Sequence, residues 1–122
     1  MNKAIVTING GKIQAEVASS IFTRFLGLSY RKLIKGNEGM IFIFPLASRP
    51  IYWNFGMFFP IDVLWIRDSR VIGIEENVPA MKNGIRIFCP ENKADSALEF
   101  VAGSAKRLGV EICDKIDVSF IQ

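Results

Sequence analysis

The chain has 122 residues, 50% of them apolar, with fifteen Lys and Arg against twelve Asp and Glu for a formal charge of +3. A chain of this size and composition is expected to be one domain, residues 1–122, that buries roughly two thirds of its unfolded surface without metals or disulfides, which excludes disordered and collagen-like classes. The longest mostly apolar stretch, Ile51 to Ile66, is interrupted by Asn54, Pro60 and Asp62, so no membrane-spanning run of about twenty residues exists.

Taken in chain order, Lys3 to Ile8 and Lys12 to Val17 flank Asn9-Gly10-Gly11, a sequence suited to the positive φ of a tight hairpin turn. That turn arrives before an apolar signal core could develop, which argues against a secretory leader and for a cytoplasmic protein. Ser19 or Ser20 is placed to cap a helix carrying Phe22, Phe25 and Leu26 at i, i+3, i+4, with Gly27 ending it. Short blocks rich in β-branched and aromatic residues follow: Met40 to Phe44, Ile51 to Phe55, Ile61 to Ile66 and Val71 to Ile74. Pro45 and Pro50 bound the loop between the first two, and Arg67-Asp68-Ser69-Arg70 forms a polar turn between the last two. Pro60 splits Ile51 to Ile66 into two strands with a bend near Gly56 to Pro60. After Asn77 the chain is irregular up to a strand at Ile85 to Phe88. A strand at Ala97 to Val101, a turn or two of helix at Ser104 to Leu108 ended by Gly109, and a last strand at Lys115 to Ile121 complete the reading. No βαβ alternation is evident. The expected fold is therefore mainly β (β-rich α+β): a small, mostly antiparallel, closed or nearly closed barrel with one or two short helices.

The absences narrow the chemistry. There is no histidine, which removes Ser-His-Asp and Cys-His nucleophile pairs and His-rich zinc sites. Cys89 and Cys113 lack CxxC spacing and are read as reduced, partly buried packing residues. No GxxxxGK[ST] or GxGxxG is present. No metal and no cofactor is expected. Charge is uneven: residues 1–37 carry Lys3, Lys12, Arg24, Arg31, Lys32 and Lys35 with only Glu16 opposing them, a local +5 against −2 elsewhere. Such a face could attract RNA, but the accompanying aromatics Phe22 and Phe25 suit a core better than a stacking platform, so nucleic acid is the less favoured partner.

Three blocks resemble the domain of unknown function 192, also called uncharacterised protein family 0127. Gly27-Leu28-Ser29-Tyr30-Arg31 and Glu38-Gly39-Met40-Ile41-Phe42-Ile43-Phe44-Pro45 are similar to its GLM-[FY]-R and EGM-hydrophobic-F-x-F-P signatures. The run from Trp53 to Ile66 is similar to its W-M-x-x-x-x-x-P-[LI]-D pattern, especially the archaeal form, with Asn54 where Met is usual. Leu98-Glu99, Ala102-Gly103 and Gly109-Val110-Glu111-Ile112-Cys113-Asp114 are similar to L-E-x-x-A-G and G-[LI]-x-x-G-D, with Cys113 in place of the final glycine. Ser29 replaces the Met of the first block. The resemblance runs over about residues 15 to 120 and implies a compact β-rich fold with no established biochemical role.

Asp62, at the mouth of an apolar strand, needs hydrogen-bond donors or a cation, from the Gly56 to Ile61 bend or from an Arg such as Arg31. Glu99 alternates with Leu98 and Phe100 and so faces with Ala97 and Val101. Tyr52, Trp53, Phe55, Phe58, Phe59 and Trp65 lie within one short stretch, with Tyr52 and Asn54 on one side and Trp53 and Phe55 on the other. The leading expectation is a binding domain for an unknown small molecule or protein, its site formed by Arg31, Trp53, Asp62 and Glu99. The alternatives are a hydrolase or lyase with Asp62 and Glu99 as catalytic candidates, which needs the two carboxylates in one cleft, and RNA binding through the basic N-terminal third.

Overall fold

In a computed structural model, which describes residues 2–18 and 35–121, strands β1 (Lys3–Ile8), β2 (Gly11–Ala18), β3 (Glu38–Ser48), β4 (Tyr52–Trp53), β5 (Ile61–Arg67), β6 (Arg70–Val78), β7 (Ile87–Phe88), β8 (Ala94–Val101) and β9 (Asp117–Ile121) follow one another. A 3-10 turn at Met81–Asn83 precedes β7, and a short helix, α1 (Ser104–Arg107), follows β8. The expected helix after Ser19, with Arg24, Arg31 and Lys32, lies outside the described residues.

Local sequence explains both hairpins. Asn9 and Gly10 take φ 50° and 81°, and Asp68 and Ser69 take 51° and 62°, the doubly positive geometry that matches the twist of paired strands. Both turns stand where the sequence puts them. Pro45 does not end β3, which continues to Ser48 with an irregularity between Ile43 and Ser48 in its pairing with β8. That break in the ladder is where a residue without an N–H is tolerated.

The closed-barrel expectation is overturned. Seven strands form an open, mixed sheet in the order β6-β5-β8-β3-β2-β1-β9, and β4 and β7 form a separate two-stranded ribbon. Among the described residues no ladder joins the edge strands β6 and β9 of the large sheet; the start of β6 meets the segment before β9 through the isolated Arg70–Lys115 bridge and backbone bonds from the Val71 N–H to Asp114, the Cys113 N–H to Val71 and the Ile116 N–H to Ser69. Nor is the pairing wholly antiparallel, because β2 and β3 run parallel, Ala15 opposite Gly39. A tight turn cannot join parallel neighbours, and local signals along the chain do not encode the direction of one strand against the next.

Period-two alternation gives the large sheet two apolar faces. Leu64, Ile66, Leu98 and Phe100 join Val6, Ile13 and Ile116 on one, with Ala105 of α1 against them. Ile61, Val63, Trp65 and Ala97 join Met40 and Phe42 on the other, which the ribbon covers with Phe88 and Tyr52. Tyr52 meets Phe42, Trp65 and Phe88 edge-on at centroid distances of 5.5, 5.0 and 5.9 Å. β5 is buried from Ile61 to Ile66 because both its faces are covered, which accounts for its uninterrupted apolar run either side of Asp62.

Candidate functional site

Asp62 is fully buried and anchors backbone. One carboxylate oxygen accepts from the Asn77 N–H at 2.9 Å, the other from the Gly103 and Ala105 N–H groups at 3.0 Å each. It thus ties the end of β6 and the start of α1 to β5. The donors come from those segments and not from the Gly56 to Ile61 bend. The three N–H groups give this buried carboxylate the hydrogen-bond partners that water would otherwise supply.

Glu99 stands opposite Val63, and Asp62 stands opposite Phe100. Directly opposed residues share a face, so Glu99 lies with Val63 and Met40 on the ribbon side while Asp62 lies on the α1 side. A sheet one strand thick separates the two carboxylates. They do not share one face of the sheet, as two carboxylates acting across one cleft must. Trp53 is brought to neither of them: it is half-exposed on the ribbon's outer side, stacked on Phe55 at 5.1 Å. Arg31 lies outside the described residues.

The bend after the ribbon is organised by Asn54, the residue standing where the family usually has Met. Its Nδ2 donates to the Pro79 and Gly84 carbonyls at 2.7 and 2.8 Å, its Oδ1 accepts from the Arg86 N–H at 2.8 Å, and its own N–H donates to the Arg86 carbonyl at 3.2 Å. A buried amide with both ends satisfied fixes the 79–86 excursion against the bend, where an apolar side chain would leave those groups unpaired. Arg86 then reaches inward, its guanidinium 3.0 Å from Glu75, whose other oxygen accepts from the Trp65 indole N–H at 3.3 Å.

Beside this network is a cleft of about 640 Å³ at the edge of β6. Trp65, Ile72, Gly73 and Ile74 line it from the sheet, Ile112 from the loop before β9, and Arg49, Glu75, Cys89 and Glu91 supply its polar groups. Gly73 lies opposite Trp65, and a Cβ there would come within 3.0 Å of the indole, so the absence of a side chain lets the ring form the floor. Arg49 is held by its Nε–H to the Pro90 carbonyl at 2.8 Å, with Nη2 3.7 Å from the Cys89 sulfur. Both cysteines are free and exposed, contrary to the buried packing role expected of them. Among the described residues no cluster of three or more His, Cys, Asp or Glu could hold a metal, and no helix is long and apolar enough to cross a membrane.

Sequence reasoning missed Arg49, Glu75 and Glu91, since each is an ordinary surface-type residue whose meaning depends on segments far apart in the chain. Gly73 within an otherwise β-branched strand was the one local signal.

A second organised corner lies at the other end of β6. Asn9 Nδ2 donates to the Leu108 and Gly109 carbonyls at 3.0 and 3.2 Å and to Asp114 at 3.0 Å. Asp114 also accepts from the Glu111 N–H at 2.8 Å. The Asn9 hydrogen bond first, then the Glu111 N–H and the nearby Arg70 charge, hold the Asp114 carboxyl below the usual carboxylate range against a smaller opposing effect of burial. Cys113, standing where the family has glycine, makes the turn itself at φ 77°.

No curated protein matches the chain. A crystal structure from Sinorhizobium meliloti 1021, described as a "putative transcription regulator", matches with TM-score 0.82 and 26% identity over 96% of this chain and 92% of that one. A second, of a protein of unknown function from Novosphingobium aromaticivorans DSM 12444, matches with TM-score 0.83 and 25% identity over 94% and 83%. The model of the domain of unknown function 192 (DUF192, Uncharacterized ACR) matches residues 4–118, nearly the whole sequence, and the chain belongs to that family.

Proposed function

We propose that the protein is a binding domain whose site is the cleft along β6, taking a small amphipathic ligand with no net charge. The observation that carries this is the lining: a concave space within the size range of small-molecule sites, apolar along Trp65, Ile72 and Ile112, with polar groups gathered at one side. Arg49 balances Glu91, and Arg86 balances Glu75, so the wall selects for neither net cations nor net anions. A zwitterion such as an apolar amino acid or short peptide satisfies it, its carboxylate at Arg49, its amine at Glu91 and its side chain against Ile72 and Ile112. Asp62 serves this site only at a distance, by fixing the C-terminal end of β6.

The test compares native and denatured masses of the purified protein, followed by thermal shifts with a panel of amino acids and dipeptides. A small-molecule excess mass that is lost on denaturation and absent from Arg49→Ala supports the reading. Identical masses together with no thermal shift across the panel refute it.

A second reading, nucleic-acid binding, is favoured by one observation, the description of the Sinorhizobium structure as a "putative transcription regulator". Lys3, Lys12 and Lys35 are exposed and extend the positive N-terminal third. It predicts binding to duplex DNA or RNA that weakens steeply with salt, and an affinity indifferent to salt excludes it.

A further inference from the structure

β6 ends the large sheet on one side, and the cleft runs along its edge. Gly73 and Glu75 stand opposite Trp65 and Val63 and so face the ribbon, whereas Ile74 stands opposite Leu64 and packs with the core on the α1 side. Successive side chains point through opposite faces of a sheet, so a space touched by Gly73, Ile74 and Glu75 alike follows the rim of the strand and lies over neither face. Ile112, Arg49, Cys89 and Glu91 are the walls that stand around this rim.

The rim carries main-chain groups without partners. In an antiparallel ladder every second residue of an end strand turns its N–H and C=O away from its neighbour. At the start of β6 these groups are used: the Val71 N–H donates to the Asp114 carbonyl at 2.9 Å and the Val71 carbonyl accepts from the Cys113 N–H at 2.8 Å, beside the antiparallel Arg70–Lys115 bridge. Beyond Val71 the lane opens, because Ile112 and Cys113 form a turn closed by the Asp114 N–H on the Glu111 carbonyl at 3.1 Å. Among the described residues, Ile72 to Glu76 make no backbone bond on that side. Sheet edges that stay unpaired are commonly blunted by Pro or by charged side chains, and Val71-Ile72-Gly73-Ile74 has neither.

We propose that this open lane takes an extended peptide segment of another protein, which adds to β6 as a further strand and continues the lane of residues 113–116. The proposal rests on the reading of the cleft as a binding site and names its occupant. The strand's own chemistry chooses that occupant: N–H and C=O groups at strand spacing are matched by a second strand, and main-chain bonds supply the hold while the walls read the side chains. Ile72 to Glu75 span roughly 13 Å, the length of about four paired residues. A second copy's β6 does not fit, since its edge is recessed between the same walls and flanked by its own residues 113–116. Apolar side chains suit Ile72 and Ile112, and the balanced charges of Arg49 with Glu91 and Arg86 with Glu75 suit a segment without net charge.

Random peptides of about seven residues, longer than the lane, are selected on phage against the purified protein, and the selected sequence is made with acetylated and amidated ends so that no terminal charge remains. The expected result is calorimetric binding of the blocked peptide, with amide exchange slowed about tenfold or more at alternate residues between Ile72 and Glu76. N-methylation of alternate peptide positions lowers affinity about tenfold for one alternating set and leaves the other nearly unchanged, a pattern that side-chain contact alone does not produce. Ile112→Glu, at an exposed wall position, weakens binding with circular dichroism unchanged. If no blocked peptide binds while free amino acids still raise Tm, the cleft is a small-molecule site and this inference falls alone; if neither binds, both fall. Peptide binding without protection of β6 amides, or indifferent to alternate N-methylation, also overturns it.

Discussion

Replacing Asp62 by Ala measures what one buried carboxylate contributes to this fold. The side chain holds three N–H groups at 2.9–3.0 Å, from Asn77, Gly103 and Ala105. A hydrogen bond to a charged acceptor contributes about 1.5–3 kcal/mol, and a buried donor left unpaired costs about as much. Only the Ala105 bond is wholly buried, while Asn77 and Gly103 are themselves exposed residues whose N–H groups water can reach once the carboxylate is gone. The full value therefore applies to one bond and a fraction of it to the others, and a small cavity adds to the loss, for roughly 3–5 kcal/mol in all. For a chain of this length that lowers Tm by roughly 10–20 °C. Asp62→Asn retains the shape but turns an amide donor toward an N–H donor, so it recovers less than half of the loss. Calorimetry and urea titration read both variants, and exchange of the Gly103 and Ala105 amides with solvent quickens in each, since α1 loses its tether. An Asp62→Ala protein melting within ~3 °C of wild type would show that the three bonds are marginal and that the residue is kept for binding.

Cys113→Gly is expected to stabilise the protein. Cys113 holds φ 77°, where an L-residue pays about 1–2 kcal/mol and glycine does not, less the extra chain entropy that glycine loses on folding. The net gain is about 0.5–1 kcal/mol, seen as a higher urea midpoint at unchanged slope; a lower midpoint would mean that the thiol makes a compensating contact. Asp114 predicts the acid behaviour. Its carboxyl is held below its ordinary value in the folded state, so its contribution is present above the unfolded value of about 3.9 and is lost as pH falls through the lower folded one. Melting curves between pH 6 and pH 2 should show a shallower acid limb for Asp114→Asn than for wild type, and parallel limbs would sink the assignment.

What the sequence determines by itself here is local. Asn9-Gly10 and Asp68-Ser69 form turns because their own side chains and backbone tolerate positive φ, and no distant partner is needed to choose it. Alternation likewise places Trp53 and Phe55 on one side and Tyr52 and Asn54 on the other, because the period of a strand is a property of its backbone. Glu99 faces with Ala97 for the same reason. The departures from the family pattern at Asn54 and Cys113 were legible as positions needing explanation, but the explanation was not: Asn54 ties the 79–86 excursion to the bend, and Cys113 adopts the left-handed conformation itself.

Only the tertiary structure decided what depends on register between distant strands. Whether Asp62 and Glu99 meet turns on Val63 pairing with Glu99, an offset of one residue that moves a side chain through the sheet. The sheet is open because β6 and β9 end it unpaired with each other and mixed because β2 and β3 lie parallel, and nothing within a strand encodes its neighbour or that neighbour's direction. The cleft joins Arg49, Trp65, Glu75, Glu91 and Ile112, whose proximity is set by the packing of the ribbon and the last loop against β6. The apolar outer ribbon was present in the alternation all along, yet its exposure became visible only when Phe88 and Tyr52 were seen to satisfy the core from the other side. A hydrophobic residue carries the same free-energy preference for burial wherever it stands, and it is the fold that decides which of them are left in water.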